Sequence, residues 1–391
     1  MDFSFTDEQE LLHESIVEFC DRYINEKDIP SMYENHGTPH DLDMAYLEAG
    51  FGLMGLPEEH GGIPCDMVTL GMLTEEFVHN AGFTAPYLNA TLALRDMVDF
   101  GSDEQIKMCF DAYQETGKPI FSLGFSEPGA GSDNQNMTSV TRKQPDGTYL
   151  LNGQKTWVTN GENFPLVLLI AKDEDPSRDN REMSMWLVPL DTPGLTTAPL
   201  HKIGQQIMPF CDMYFDDVVL TEDMRVGKKG EGFRNLMKNF EVERCLICAQ
   251  VLGLAQAAMD DAAAYASERI CFGRPIVSFE LIQQKLADME IALQNTRNML
   301  YRTLWKMDTG QSVRIDSALL KRYAARGYAA RRCRSTAALA SPLRPGSGAC
   351  GWIAVACRSL AALTRSWSTS RVVRSPKSTR DRASRIFDGS G

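Results

Sequence analysis

A glutamate–arginine pair, Glu243 and Arg244, lies in the segment FEVER, inside a long apolar stretch that is predicted to be helical. Helix positions four apart share a face, so Phe240 and Arg244 lie together and Glu243 faces the adjoining surface. A carboxylate in such apolar surroundings gains proton affinity and can remove a proton as a general base. The structural alternative is a solvated Glu–Arg pair.

The segment FSEPGAGSD, residues 125–133, combines a strand end with a glycine-rich turn. A strand that ends in Ser126 is followed by Pro128, Gly129 and Gly131, which let the backbone turn closely and expose its N–H groups. Such a turn suits a phosphate or a polar heterocycle, although a plain glycine turn has the same composition. Because the segment is not GxGxxG, it does not predict a Rossmann dinucleotide site.

The segment NGQKTWVTNG, residues 152–161, is predicted to be a strand that carries an indole beside a hydroxyl group. Trp157 and Thr159 are two positions apart, which places them on the same face of the strand. Together they make a stacking wall with a hydrogen-bonding group. The alternative is an ordinary cross-strand pair in a β core.

A fourth segment, ERICFGRPI, joins the end of one predicted helix to the start of the next. Glu268 and Arg269 end the first helix, Gly273 and Pro275 interrupt it, and a new helix starts near Phe279. Arg269 could bind a pyrophosphate through both arms of its guanidinium group. A solvated cation at a helix end is the alternative.

The cysteines and histidines favour no metal site. Cys245 and Cys248 form a CxxC, but they lie in the apolar helical stretch without a second pair, which predicts buried thiols. The acidic start MDFSFTDEQELLHES lacks the features of a signal peptide, and no run of eighteen apolar residues predicts a membrane span. These features favour a cytoplasmic protein with free thiols.

The periodicity of the apolar residues divides the chain into three domains. Helical spacing dominates residues 1–117, a period of two dominates 118–225, and long helices return over 226–326. The fold class is therefore α+β multidomain, with an N-terminal helical domain, a central β-barrel or sandwich, and a C-terminal helical bundle. Strands without intervening helices exclude a doubly wound parallel sheet.

Charge separates a fourth region, residues 327–391, from the rest. The whole chain carries a formal charge of −12, which argues against general binding of nucleic acid. Residues 1–325 carry −23 and residues 326–391 carry +11. Gly, Pro, Arg, Ser and Ala dominate this basic tail, and no period persists in it. Translation in a shifted frame and a natural disordered tail that binds an acidic surface are the two interpretations.

The motifs together resemble those of the acyl-CoA dehydrogenases. The resemblance covers about residues 1–326 and rests on the order of the segments LPEEHGG, FSEPGAGSD, NGQKTWVTNG, LHKIG, FDDV, GKKGEGF, FEVER and ERICFGRPI. Within the family the chain is most similar to the bacterial branch of crotonobetainyl-CoA reductase and the short-chain enzymes. The resemblance implies a helical domain, a β domain and a four-helix bundle, assembled as a homotetramer or a dimer.

The resemblance also implies FAD as the cofactor and assigns residues to it. Phe125 and Ser126 would border the flavin ring, and the stretch Trp157, Val158 and Thr159 would shield its far face. Ser132 would lie near the flavin or the pantetheine of the substrate. Arg269 and Phe272 would reach the FAD of a neighbouring subunit.

The activity implied by the resemblance is α,β-dehydrogenation of a short-chain, branched or carnitine-type acyl-CoA, with electrons passed to an electron-transfer flavoprotein. Glu243 would be the base, Arg244 would stabilise nearby charge, and Glu241 would contact the CoA portion of the substrate. The alternatives are an enoyl-CoA reductase that runs in the opposite direction, and an impaired or non-catalytic relative. The impaired relative is considered because the last bundle helices and the Gly-Gly-Leu-Gly loop of the family do not follow residue 326.

Overall fold

The computed structural model describes residues 4–25, 28–85, 90–131, 133–174, 182–201 and 206–329. The chain begins with helices, as the apolar spacing predicts: α1 (Asp7–Tyr23), α2 (Ile29–Glu34), α3 (His40–Glu48), α4 (Met67–Ala81), α5 (Ala90–Phe100) and α6 (Asp103–Thr116). The short helix α2 was not predicted, since six residues are too few for a periodic pattern. The basic tail lies outside the described residues from position 330 onward.

Capping residues fix where two of these helices begin. Thr6 and Gln9 form a reciprocal capping box at α1, and Ser102 and Gln105 form another at α6. In each box a hydroxyl oxygen accepts from a backbone N–H that has no partner within the helix. The amide of Gln105 also donates to the carbonyl of Asp223 at 2.8 Å, which ties α6 to the β region.

The middle of the chain forms β-strands, as the period of two over residues 118–225 predicts. The strands are β1 (Phe121–Gly124), β2 (Val140–Lys143), β3 (Tyr149–Thr159), β4 (Leu166–Asp173), β5 (Met183–Pro189), β6 (Leu195–Leu200), β7 (Phe210–Leu220) and β8 (Arg225–Val226). Alternation is clearest in β7, where Cys211, Met213 and Phe215 are buried.

These strands form one mixed sheet in the order β6-β7-β3-β2-β4-β5-β8, with β1 attached to β4. Of the two expected forms, a barrel or a sandwich, the closed barrel was wrong, because the sheet is open. Within the described residues, β6 pairs only with β7, and the two-residue strand β8 pairs only with β5, so the ends of the path do not meet. Parallel pairs of β4 with β1 and with β2 interrupt the otherwise antiparallel order.

Long helices follow the sheet: α7 (Gly232–Glu268), α8 (Glu280–Asp308) and α9 (Arg314–Ala329), with the hairpin β9 (Ile270–Cys271) and β10 (Arg274–Pro275) between the first two. By length and composition α7 could cross a membrane. However, 56% of its apolar window is buried inside the protein, as in the core helix of a globular fold. Cys245 and Cys248 lie in this helix as buried free thiols. Burial raises the pKa of Cys248 to about 12.

Three apolar cores hold these layers together. The largest joins the N-terminal helices to α7, α8 and α9, so the two helical domains share one core. The second lies between one face of the sheet and the helices α5, α6 and the start of α7. The third lies on the other face of the sheet, where the strands bury Trp186, Val188 and Met213.

Candidate active site

A fork in the sheet positions the glycine-rich loop. Along one edge of β4, β1 pairs with residues 166–169 and β2 pairs with residues 172–173. The chain therefore leaves the sheet after Gly124 and returns to it at Val140. The loop between them carries FSEPGAGSD, and its Gly129 and Gly131 face open space, since a Cβ on either would meet no atom within 4 Å. The fork thus presents the loop backbone to a ligand.

A buried ion pair joins this loop to β3. The Nζ of Lys155 lies 2.8 Å from the Oε1 of Glu127, and neither side chain is accessible to solvent beyond 2%. The Glu127 carboxylate also accepts from the backbone N–H groups of Thr138 and Ser139. The Lys155 ammonium and these donors outweigh burial and hold the pKa of Glu127 well below its usual range, at about 2. The loop and the strand are therefore locked together.

The same two segments meet through their backbones. The N–H of Thr156 donates to the carbonyl of Ser126 at 2.8 Å. The hydroxyl of Thr156 donates to Asp212 on β7. Ser126, which the resemblance places at the flavin ring, is thus one hydrogen bond away from the strand that carries Trp157. Val158 is fully buried and Thr159 is half-buried.

A β-bulge displays Trp157. The pairing of β3 with β7 shifts between Lys155 and Val158, and Trp157 adopts a φ of +59°. A bulky residue with positive φ is strained, and such strain concentrates at sites that contact ligands. The indole is 54% exposed and meets Phe210 edge-on at 6.3 Å. Because Phe210 pairs with Thr159, the indole and Thr159 lie on the same face, as the sequence predicts.

Aromatic contacts bring α7 to the loop. Phe125 is buried at the end of β1, and its ring meets that of Phe240 at 5.8 Å, in an edge-to-face arrangement. Phe233, at the start of α7, lies 6.2 Å from the same ring. Phe240 comes three residues before Glu243, which puts the two within one turn of each other. The structure therefore brings the FEVER segment and the FSEPGAGSD loop to one place.

Near the FSEPGAGSD loop, Glu243 is a carboxyl group whose pKa is shifted by its surroundings. Burial raises the pKa of Glu243, and the positive charges of Lys321 on α9 and Arg244 act in the opposite direction. Arg244 and Glu241 are half-buried on the same helix. A carboxylate with a raised pKa and nearby cations is suited to accept a proton at neutral pH.

Two predicted site residues lie far from this loop in the same chain. Arg269 follows the last residue of α7, 29 positions after Phe240, which corresponds to roughly 43 Å along a helix. Phe272 is 93% exposed at the tip of the β9–β10 hairpin. Phe272 and Gly273 both have positive φ, as in a type I′ turn. Ser132 lies outside the described residues.

Two surface clefts lie apart from the predicted site residues. One, of about 450 Å³, lies between the α2–α3 connection and the β3–β4 connection. The other, of about 500 Å³, lies between α1 and α3. Neither is lined by Phe125, Trp157 or Glu243. Within the described residues, no group of three or more His, Cys, Asp or Glu side chains could hold a metal ion.

Sequence reasoning missed the Glu127–Lys155 pair and the buried Asp96 beside α7. The signal for the pair was available, because Lys155 is in alternation with the buried residues Tyr149 and Leu151 of the same strand. A lysine on the inward face of a strand requires a buried anion. Asp96 carried no such signal, since its neighbour Asn239 lies 143 positions away.

Comparison with known proteins decides the family. Models of the N-terminal, middle and C-terminal domains of acyl-CoA dehydrogenase match residues 6–112, 122–218 and 230–375. The probable acyl-CoA dehydrogenase YdiO of Escherichia coli K12 is 41% identical over 327 residues, which cover 83% of this chain and 85% of that protein. The chain belongs to the acyl-CoA dehydrogenase family. It is therefore an oxidoreductase of the class that acts on CH–CH groups.

Solved structures share the fold of this acyl-CoA dehydrogenase. The acyl-CoA dehydrogenase of Slackia heliotrinireducens is 27% identical with a TM-score of 0.82, and the match covers 96% of this chain and 97% of that one. The FAD complex of PigA is 22% identical with a TM-score of 0.82, and the match covers 93% and 97% of the two chains. The predicted three-part fold is confirmed, with an open sheet in place of the barrel.

The residues at the fork fit a flavin, the cofactor of this family. An exposed indole that is held in a strained conformation offers a face on which a planar ring can stack. The space beside Gly129 and Gly131 leaves room for a ligand to approach the loop backbone. The buried ion pair beneath the loop fixes both features in place.

Proposed function

We propose that this chain is an FAD-dependent enzyme that removes an α-proton and a β-hydride from a short-chain, branched or carnitine-type acyl-CoA thioester. The observation that carries the proposal is the convergence of three segments. Glu243 on α7, the loop at Phe125 and the bulge at Trp157 are joined by the Phe125–Phe240 contact and by the Thr156–Ser126 hydrogen bond.

In the proposed site, Phe125 and Ser126 border the flavin ring, and Trp157, Val158 and Thr159 cover its far face. Bound FAD would supply the hydride acceptor. Ser132 and Glu241 are assigned to the CoA portion of the substrate, and Arg244 to the charge near the base. Packing of Phe125 against Phe240 gives this region an apolar wall, beside which electrostatic interactions are stronger than in water.

Glu243 is the proposed base. Its carboxylate would take the α-proton of the thioester, and the product of that step is a neutral carboxylic acid. Burial favours this neutral form, which is the reason why the pKa of Glu243 is raised. The positive charges of Lys321 and Arg244 act against burial and favour the ionised form that accepts the proton. In the reverse reduction of an enoyl-CoA, the protonated Glu243 would return the same proton.

The remaining assignments concern the assembled enzyme. An electron-transfer flavoprotein is the proposed redox partner, and the cytoplasm is the proposed compartment. A homotetramer, or a dimer, would let Arg269 and Phe272 reach the FAD of a neighbouring subunit. The exposure of Phe272 supports this assignment, since its ring contributes nothing to the core of its own chain.

Substitution of Glu243 tests the proposed function. The purified, FAD-loaded chain is mixed anaerobically with butyryl-, isovaleryl- and carnitine-type acyl-CoA while the flavin absorbance is followed. The wild-type chain is expected to bleach, and Glu243→Gln to bleach roughly 10²–10⁴-fold more slowly, because proton transfer to a placed base supplies about that factor. Asp261→Asn changes an exposed carboxylate on the same helix and is expected to behave as wild type. Equal rates for Glu243→Gln and wild type would exclude Glu243 as the base.

A further inference from the structure

A second carboxyl group, that of Asp96, lies buried beside the proposed base and has no part in the chemistry described above. Asp96 is on α5 and is 8% exposed. The side-chain amide of Asn239 on α7 donates to its Oδ1. Buried carboxyl groups are rare unless they are paired with a cation. The contacts that the structure describes give Asp96 an amide partner and no cation.

Helix geometry places this carboxyl group next to Glu243. Asn239 and Glu243 are four positions apart on α7, so their side chains lie on one face, one above the other. Asp96 is bonded to the first of these two residues. Met97 and Leu236, which are next to Asp96 in the chain and one turn before Asn239, belong to the apolar core between the sheet, α5 and α7.

The charges that face the two carboxyl groups are few. Lys321 and Arg244 act on Glu243, and Glu243 and Asp99 act on Asp96. Burial raises the pKa of Asp96 to about 7, the Asn239 amide opposes this, and the negative charges of Glu243 and Asp99 add to it. The cations therefore favour the ionised form of Glu243, whereas among the described residues no cation acts on Asp96.

We propose that Asp96 and Glu243 form a coupled carboxyl pair across the α5–α7 contact, in which Asp96 keeps its proton while Glu243 is ionised. Because Glu243 acts on Asp96, ionisation of one carboxyl group disfavours ionisation of the other, and the pair loses its protons in two separate steps. The inference rests on the proposed function of Glu243. Asp96 acts through Glu243 and is thus a positioning residue for the base.

The proton affinity of Glu243 is expected to depend on whether Asp96 is protonated. With Asp96 protonated, the pair carries one negative charge on Glu243. When Asp96 ionises, its charge raises the proton affinity of Glu243, which makes it a stronger base. The rate of α-proton removal is therefore expected to rise in two steps with pH, of which the upper one belongs to Asp96.

Infrared titration measures the protonation of the carboxyl pair independently of enzyme activity. The FAD-loaded chain is labelled with [4-¹³C]aspartate, and its protonated carboxyl stretch is recorded between pH 5.5 and 8.5. The wild-type chain is expected to lose a labelled band near pH 7. Asp96→Asn, which keeps an oxygen that can accept from Asn239, should lack this band. Glu243→Gln should shift the loss to lower pH, because it removes the facing charge.

The pH profile of flavin bleaching tests the consequence for the base. Asp96→Asn is expected to retain the lower step and to lose the upper one. The comparison variant Asp99→Asn removes an exposed carboxylate from the same helix and should keep both steps, with the upper one moved to lower pH, because the charge of Asp99 adds to the pKa of Asp96. A band near pH 7 that survives in Asp96→Asn, or that does not move in Glu243→Gln, would overturn the coupling. If Glu243→Gln bleaches at the wild-type rate, the base assignment fails, and the infrared titration still decides whether the carboxyl groups are coupled.

Discussion

At the scale of single residues, the buried ion pair of Glu127 and Lys155 is the feature that holds the candidate site together. Glu127 belongs to the FSEPGAGSD loop, and Lys155 belongs to the NGQKTWVTNG strand with its bulge. Without the ion pair, the loop and the bulge could change position relative to each other. Buried ion pairs add little net stability, but the loss of one partner leaves an uncompensated charge. The pair therefore makes the relative position of the loop and the strand costly to change.

Substitution of one partner is expected to be more damaging than substitution of both. Lys155→Met should lower the free energy of unfolding by about 3–5 kcal/mol, because Glu127 is left buried without its cation. The double variant Glu127→Gln/Lys155→Met should recover part of the loss. Lys143→Met removes an exposed lysine from the neighbouring strand and serves as the control. Urea unfolding measures all four proteins, and a Lys155→Met protein as stable as wild type would contradict this account.

The pH dependence of the same pair has a definite sign. The pKa of Glu127 in the folded protein, about 2, lies below its ordinary value of 4.5. The stabilisation is thus fully present above pH 4.5 and is lost as the pH falls toward 2. In the Glu127→Gln variant this part of the acid dependence should be missing. The comparison requires only unfolding curves at a series of pH values between 2 and 6.

At the scale of elements, a close approach of two helices joins the N-terminal domain to the bundle. Gly253 on α7 faces the backbone of α4, where an added Cβ would lie 2.3 Å from the carbonyl oxygen of Glu75 and 2.9 Å from the nitrogen of His79. Backbone atoms in the middle of a helix cannot move aside separately. The separation of α4 and α7 is therefore set by the absence of a side chain at position 253.

Alanine at this position tests the contact. Alanine favours a helix over glycine by about 1 kcal/mol, whereas an overpacked contact costs about 1–3 kcal/mol or more. We expect Gly253→Ala to be destabilising overall by about 1–2 kcal/mol, since its clash is with backbone. Gly71→Ala on α4 is the control, because its added Cβ would meet the terminal methyl of Leu304, which can rotate. In thermal unfolding, Gly253→Ala should have a lower melting temperature than Gly71→Ala. The opposite order would contradict the backbone clash at position 253.

At the scale of the whole molecule, the β9–β10 hairpin carries apolar side chains away from the core. Phe272 is 93% exposed, Ile270 on β9 is 56% exposed, and Leu281 in the first turn of α8 is 73% exposed. The type I′ geometry holds the ring of Phe272 at the tip. Exposed apolar side chains that cluster in this way are typical of contact surfaces.

Self-association and FAD retention are expected to depend on this tip. Phe272→Asp should lower the mass measured by light scattering and increase the loss of FAD on gel filtration, because the proposed contact to a neighbouring subunit would be charged. Leu11→Asp changes an exposed leucine on α1 and is the matched control. If Phe272→Asp keeps both the wild-type mass and its FAD, the hairpin is not part of the assembly.

Local sequence patterns were enough to predict the three-part organisation and the segments of the candidate site. Apolar periodicity is a local property, so the helices and strands and the capping box at Thr6 could be predicted from neighbouring residues. The order of the motifs was also enough to indicate the family. Periodicity and motifs both depend on residues that are close in the chain, so they can be recognised without the tertiary structure.

The tertiary structure alone decided how these segments meet. The fork at β4, the bulge at Trp157 and the open edge of the sheet depend on pairing between distant strands, which alternation does not specify. The contact between Asp96 and Asn239 depends on the packing of α5 against α7, because the two residues are 143 positions apart in the chain. Burial and the electric field of other side chains are properties of the assembled fold, and they give Glu243 the raised pKa that suits a base.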